Sequence, residues 1–194
     1  LMVIYGLIYI LPFGKSIIGI SWFDWFRSED GPLEWIQFIC YTFSFICCSI
    51  VLWRKRNRAF TKSWFVWFLL ALLCFFVAGE EISWGERLSG YGIEAIRAIN
   101  KQGETTIHNI RFFHLYLLDP SFEISCLLFG WLGWNLWPEI DAFPKKKYTL
   151  YFLFVALFFF YFDISYSSTI KQIRNDQEIF ELLMSLGLFL HSYN

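Results

Sequence analysis

Two long apolar runs constrain this sequence more than any other feature. Residues 63–79 carry no charged side chain, and residues 32–53 carry only Glu34. A helix rises about 1.5 Å per residue, so roughly 20 mostly apolar residues cross a bilayer core of about 30 Å. Hydrophobic residues make up 57% of the chain and aromatic residues 23%, which is more than an ordinary soluble domain contains. The sequence therefore predicts a helical membrane protein.

We predict an all-α integral membrane protein with six transmembrane helices, which form a single polytopic domain over residues 1–194. The six predicted helices cover residues 1–14, 32–53, 63–84, 121–138, 148–167 and 178–193. An amphipathic or loop segment on the outer side connects the third helix to the fourth. The tryptophan-rich SWFDWF at residues 21–26 is expected to lie along the outer surface.

The basic residues predict the orientation. They are dense in the connection from Arg54 to Lys62 and again at Lys145–Lys147. Both connections lie on the same side of six alternating helices, and the positive-inside rule makes that side cytoplasmic. Both termini are then cytoplasmic, in the bacterial inner membrane or in another energy-transducing membrane. The lipid bilayer is the predicted partner, and the basic loops fit anionic headgroups better than nucleic acid.

Several predicted helices bring acidic residues to the outer interface. The apolar run 63–79 spans roughly 26 Å as a helix, which places Glu80 and Glu81 at its outer edge. Further acids at this level are Glu34, Glu123, Asp163, Glu178 and Glu181. The positive end of the helix dipole explains Glu34, Glu123 and Glu178 at helix starts, but it disfavours Glu80, Glu81 and Asp163 at helix ends. These three need basic partners, a bound cation or protonation.

A second polar stretch, INKQGETTIHNIRFFH at residues 99–114, lies between the third and fourth helices. As a helix it would place Glu104, His108 and Arg111 on one stripe. A carboxylate and an imidazole spaced i, i+4 can share a cation or orient each other for proton transfer. We expect Glu80 or Glu81 to approach residues 104–108, with Glu178 or Glu181 facing them.

The candidate site follows from this convergence. The candidate catalytic residues are Glu80, Glu81, Glu104 and His108, and the candidate ligands for a divalent metal ion are Glu81, Glu104 and His108. No pattern for binding another cofactor is present. His114 fits the interfacial aromatic belt, and His191 falls on the cytoplasmic side. The five cysteines lie in apolar helices without metal-ligand spacing and are interpreted as packing residues.

Most of the chain resembles an uncharacterised bacterial family of multi-pass membrane proteins. The resemblance is carried by the stretches EDGPLEWIQF, AGEEISWGERL, NKQGETTIHNI and QEIFELLMSLGLFL. It implies the helical architecture and no particular activity.

Glu80–Glu81 with later histidines also resembles, in part, the membrane proteases that process CAAX proteins and bacteriocins. Their motif is similar to E-E-x-x-x-R, followed by F-x-x-x-H and a further His/Asn motif. Here Gly85 stands at the position of that arginine, with Arg87 two residues later, and Ile110 stands where the phenylalanine would precede His114. The closing HSYN has different spacing and falls on the other side of the predicted membrane.

Three function classes fit the sequence. An enzyme would use the glutamates and His108 in acid–base or metal-assisted hydrolysis or group transfer on a membrane-delivered substrate. A non-catalytic accessory or assembly subunit would dock its aromatic helix faces on a larger membrane protein complex. A small transporter is the third class, because such a protein needs polar residues through the bilayer and few are evident at mid-depth.

Overall fold

A computed structural model describes residues 19–26, 31–58, 60–100, 103–107, 110, 119–165 and 171–194. Within these ranges the chain consists of helices and connecting turns, with no β-strand. The prediction of an all-α fold is confirmed for this part of the chain. The first predicted helix, residues 1–14, lies outside the described residues.

The helices are numbered here in chain order. They are α1 (Ile20–Phe26), α2 (Pro32–Arg54), α3 (Lys62–Glu81), α4 (Glu86–Ser89), α5 (Glu94–Arg97), α6 (Asp119–Leu127), α7 (Gly133–Leu136), α8 (Thr149–Ser165) and α9 (Lys171–Tyr193). A π-helical turn, Leu128–Leu132, joins α6 to α7. Short 3₁₀ turns occupy Arg56–Arg58, Ser83–Gly85 and Lys146–Tyr148.

Two of the described helices, α2 and α3, are long and apolar enough to cross a membrane. Pro32 occupies the first turn of α2, where its missing N–H leaves no hydrogen bond unmade. The Thr61 side chain caps α3 by accepting a hydrogen bond from the Trp64 N–H at 3.3 Å. Both apolar runs of the sequence thus fold as predicted, whereas the described helices do not provide six such spans.

Two predicted helix boundaries are wrong. As a result, the helix dipole no longer explains all the acidic residues that were assigned to helix starts. The third predicted helix ends at Glu81 rather than residue 84, and the last begins at Lys171 rather than residue 178. Glu178 consequently lies two turns inside α9, and Glu123 lies beyond the first turn of α6. The helix dipole acts mainly within the first turn. It therefore explains Glu34 but neither Glu123 nor Glu178.

The long helices pack as a bundle in which α2 contacts both α3 and α9, α9 contacts α8, and α8 contacts α6. Glycines permit two of the close approaches. A Cβ at Gly187 of α9 would lie 2.6 Å from the Tyr151 Cβ of α8, and one at Gly130 would lie 3.0 Å from the Leu153 nitrogen. The core includes the large side chains of Tyr41, Trp67, Phe129, Tyr148, Phe152 and Met184. The five cysteines are free thiols in α2, α3 and α6.

Asp141 closes one end of the bundle. Its carboxylate accepts hydrogen bonds from Lys55, from the Ser63 hydroxyl and, at 3.2 Å, from the Trp67 indole. Partial burial acts to raise the pKa of Asp141, but the hydrogen bonds from these three residues outweigh it and hold this pKa below its ordinary value. The basic connection after α2 and the connection before α8 therefore lie at the same end.

The C-terminal end of α9 joins this closed end. His191 lies 2.9 Å from the Ala142 carbonyl through its Nε2 and stacks on the Trp67 ring. The Tyr148 hydroxyl donates to the Leu190 carbonyl at 3.1 Å. Glu34, Glu81 and Glu178 occur at the opposite end of their helices, so His191 is remote from them.

Candidate functional site

The chain reverses sharply after Glu81. Ser83, Trp84 and Gly85 have φ angles of 49°, 53° and 90°, which is left-handed backbone that non-glycine residues seldom adopt. This turn folds the Trp84 ring back over Gly79, where an added Cβ would lie 2.9 Å from ring atoms. The ring also packs against Phe75 and Phe76. The spacing of glycine and tryptophan in GEEISW is therefore a packing requirement.

Glu80 holds this turn to the segment that follows it. Its carboxylate is buried, with 5% of the residue exposed. One oxygen accepts a hydrogen bond from the Trp84 indole, and the other accepts the Ile107 N–H at 2.8 Å. The sequence predicts that Glu80 or Glu81 approaches residues 104–108, and Glu80 makes that contact. Both of its oxygens are occupied in stabilising the fold.

Glu86 organises the rest of the segment from residue 82 to residue 107. Its Oε2 accepts the Thr105 N–H at 2.7 Å, and its Oε1 lies 3.4 Å from the Arg97 Nε. Side-chain and backbone hydrogen bonds from Thr105, with the nearby Arg97 guanidinium, lower the pKa of Glu86. A Cβ at Gly92 would lie 2.5 Å from the Glu86 carboxylate, so a larger residue there would have to displace this side chain.

Arg87 joins the segment to the helix bundle. Its guanidinium forms an ion pair with Glu34 of α2, donates to the Glu81 carbonyl at 3.0 Å, and lies 3.6 Å from Glu104. Glu104 also accepts a hydrogen bond from the Ser83 hydroxyl at 2.9 Å. The predicted helical stripe through Glu104 is wrong in the described part, because residues 103–107 form bends stabilised by these contacts.

Four glutamates from three helices form what we call the acidic layer: Glu34 of α2, Glu81 of α3, and Glu178 and Glu181 of α9. Glu34 and Glu181 lie within electrostatic range of Glu81, as does the Arg87 guanidinium. Glu178 is within range of the other three. Glu81 is half-buried, and no hydrogen bond joins its carboxylate to another group in the described ranges. Unlike the Glu80 carboxylate, the Glu81 carboxylate is therefore not used in hydrogen bonds that stabilise the fold.

Two further residues of α2 border the acidic layer. Gln37 is fully buried, and its Nε2 donates to both the backbone carbonyl and the carboxylate of Glu178, at 3.0 and 3.1 Å. Tyr41, one turn further along α2, is 1% exposed and within electrostatic range of Glu81 and Glu181. The sequence analysis missed both residues. The spacing of Glu34, Gln37, Tyr41, Ser44 and Cys48, alternately three and four residues, is the helical signal that indicates them.

The structure places the described members of the predicted site at two positions. Glu80 and Glu104 lie together beside the reversed turn, and Glu81 lies in the acidic layer. His108, Arg111 and His114 lie outside the described residues, and the set Glu81, Glu104 and His108 stays a prediction. Within the described ranges, no three histidine, cysteine or acidic side chains converge as the ligands of a metal ion.

Comparisons with known proteins give no further assignment. No protein-family model matches the chain, nor does any curated protein or solved structure.

Proposed function

We propose that this chain is a multi-pass protein of the bacterial inner membrane whose acidic layer performs acid–base chemistry on a membrane-delivered substrate. The reaction class is hydrolysis or group transfer, with Glu81 as the group that takes and returns the proton. The layer lies on the outer side in this proposal, and the closed end at Asp141 lies on the cytoplasmic side.

The exposed apolar surface of α2 and α3 supports the membrane location. Within the apolar 18-residue stretch of each helix, only 28% is buried in α2 and 33% in α3. The core helix of a soluble protein is, by contrast, mostly buried. The exposed side chains of α2 include Ile36, Ile39, Phe43, Ile46 and Ile50. Such a contiguous apolar face is unfavourable in water and favourable in lipid.

The different hydrogen bonds of the glutamates support Glu81 as the general base. A general base needs an oxygen that can reach the substrate proton. Glu80 uses one oxygen for Trp84 and the other for Ile107, and Glu86 uses its oxygens for Thr105 and Arg97. Glu81 is adjacent to these structural acids and half-buried. Its carboxylate makes no hydrogen bond within the described ranges, and the Glu34 and Glu181 carboxylates and the Arg87 guanidinium lie within electrostatic range of it. This contrast between Glu80 and Glu81 is the observation that carries the proposal.

A comparison of two substitutions tests it. In a strain whose chromosomal copy is deleted, Glu81→Gln should be produced and inserted normally but should fail to restore the phenotype, because glutamine keeps the size and cannot take the proton. Glu80→Gln should instead lower the amount of folded protein, because the amide replaces one acceptor oxygen with a donor group. Immunoblots of membranes and melting temperatures measure abundance and folding separately from function.

Full function of the Glu81→Gln variant would contradict the proposal. It would favour the alternative, a non-catalytic accessory or assembly subunit that docks its exposed aromatic faces on a larger membrane complex. Mild solubilisation of native membranes then decides, since an accessory subunit purifies in fixed stoichiometry with that complex and an independent enzyme purifies alone.

A further inference from the structure

Resting on the membrane location in the proposed function, but not on Glu81, we propose that the closed end binds an anionic phospholipid with two phosphates in one headgroup. One phosphate contacts the basic connection after α2, and the other contacts the connection before α8. The ligand class is therefore a diphosphatidyl lipid such as cardiolipin. The residues that bind it are Arg54, Arg56 and Lys62 at the first connection, and Lys145, Lys146 and Lys147 at the second.

These six basic side chains are all exposed, and the acids at the closed end do not neutralise them. Asp141 forms its ion pair with Lys55. In the ranges that the structure describes, neither the exposed Glu139 nor any of the six basic residues forms an ion pair. The closed end therefore carries an excess of positive charge, which the anionic lipids of a cytoplasmic leaflet can balance.

Asp141 holds the two connections next to each other. Its carboxylate accepts hydrogen bonds from Lys55 in the first connection and from Ser63 at the start of α3. Arg56 directly follows Lys55, and Lys145 follows Asp141 by four residues, over which even an extended chain spans only about 14 Å. Basic residues of both connections therefore lie close to one carboxylate, so that one headgroup can contact both.

Tryptophan rings position one cation from each connection. The Arg56 guanidinium lies 4.7 Å from the centroid of the Trp53 ring, and the Lys146 ammonium lies 5.8 Å from that of Trp134. Both distances are within the range of cation–π attraction. Tryptophan favours the level of the lipid headgroups, so these contacts keep the two cations at that level, where phospholipids carry their phosphates.

Exposed apolar side chains beside the cations favour a lipid over a soluble phosphate compound. Phe60 is 92% exposed, Trp53 69% and Leu150 62%, and each is close in sequence to the basic residues. A soluble phosphate would leave this apolar surface in water, whereas a phospholipid covers it with the acyl chains attached to its headgroup. A lipid with a single phosphate could engage only one of the two basic connections at a time.

Thermal unfolding of the purified full chain in a non-ionic detergent tests the ligand class. Cardiolipin should raise the melting temperature by about 3–5 °C at a ten-fold excess over its dissociation constant. Phosphatidylglycerol, added at twice the concentration so that the number of phosphates is equal, should give a shift at least several-fold smaller. Phosphatidylcholine, which has no net charge, should give no shift.

Two matched substitutions separate this site from general attraction to negative charge. Asp141→Asn and Glu139→Gln each remove one acid from the closed end, so each makes that end more positive by one charge. Asp141→Asn also weakens the contacts that hold the two connections together, and it should reduce the cardiolipin shift at least several-fold. Glu139→Gln should keep the full shift. General attraction predicts the same change, a slightly larger shift, in both variants.

Substitution of the cations in pairs decides the question if Asp141→Asn fails to fold. Arg54→Gln with Arg56→Gln removes cations from the first connection, and Lys146→Gln with Lys147→Gln removes them from the second. Each pair should abolish the preference for cardiolipin over phosphatidylglycerol, because one headgroup then contacts only one basic connection. General attraction would weaken in proportion to the charge removed and would leave the ratio of the two shifts unchanged.

The proposal is overturned if cardiolipin gives no shift, if phosphatidylglycerol matches it at equal phosphate, or if the preference survives Asp141→Asn or the paired substitutions. These outcomes are distinct from failure of the acid–base role. A cardiolipin shift together with full function of Glu81→Gln would support the lipid site and contradict only that role. Loss of cellular function in Glu81→Gln without a cardiolipin preference would exclude only the lipid site.

Discussion

The Trp84 ring lies against Gly79, one helical turn before the reversal that places it there, and its six-membered ring comes within 2.9 Å of the position a Cβ would occupy. The same indole donates its N–H to Glu80. One glycine, one glutamate and one tryptophan thus fix how the chain leaves α3, and this exit determines where Arg87 meets Glu34.

Gly79→Ala should destabilise the protein by about 1–3 kcal/mol, because the new methyl group displaces the Trp84 ring. The melting temperature of the purified variant measures the effect. In a Trp84→Ala background the same substitution should be nearly neutral, since the clashing ring is gone. An equal cost in both backgrounds would show that Gly79 acts through another contact.

Labelling of one introduced cysteine at a time should place the two ends of the bundle on opposite sides of the membrane. Arg56→Cys and Tyr91→Cys introduce thiols at exposed positions, on the basic connection and on the segment after α3. An impermeant maleimide added to spheroplasts should label Tyr91→Cys directly and Arg56→Cys only after lysis. The unsubstituted chain gives the background from its five native cysteines. Labelling of both variants from the same side would contradict the proposed topology.

Asp141 should make the melting temperature of the protein depend on pH under acidic conditions. Its folded pKa lies below the ordinary 3.8, so its stabilising contribution is complete above that value and is lost as the pH falls through the lower folded pKa. Wild-type and Asp141→Asn should therefore differ in melting temperature by a constant amount above about pH 5, and the difference should shrink below pH 4. Glu139→Gln is the neighbouring control and should follow the wild type. A difference that grows on acidification would reverse the assigned sign.

Thr105→Val should loosen the segment after α3 without unfolding the bundle. The substitution keeps the shape and removes the hydroxyl that accepts the Ile93 N–H at 2.8 Å, at a cost of about 1 kcal/mol. Hydrogen exchange at residues 86–107 should accelerate about five-fold, while exchange in α2 and α3 should stay unchanged. Thr42→Val makes the same change within α2 as a control. Uniform acceleration in every helix would mean that the segment does not open independently.

The long apolar runs of the sequence predicted α2 and α3 well. Burial and lipid contact require apolar residues along whole faces of a helix, and such residues can be recognised in the sequence. The reversal at Ser83 and Trp84 was not predictable from residue preference. Neither residue favours left-handed backbone, and the conformation depends on contacts with Gly79 and Glu80. The start of α9 was misplaced because its first turns are polar and carry no hydrophobic pattern.

The expected approach of acidic residues from several helices is found in the structure, whereas the predicted site itself stays a prediction. Acids near helix ends indicated a shared layer, and Glu81 and the α9 glutamates do lie within electrostatic range of one another. Which acid serves the fold could not be predicted, because Glu80 and Glu81 are equivalent in sequence and differ only in the donors around them. Gln37 was passed over as one polar residue in an apolar run, although its helical spacing from Glu34 and Tyr41 indicated a buried polar stripe.

The hydrogen bonds between Gln37 and Glu178 join residues that are 141 positions apart in the chain. Ribosomes add about 5–20 residues per second, so roughly 7–28 s pass between synthesis of the two partners. Once Glu81 has been made, α2 and α3 can pair as a hairpin within that interval, while the polar face of α2 has no α9 to cover it. Completion of the acidic layer is therefore among the last events in making the molecule, and a chain released early would contain the hairpin without it.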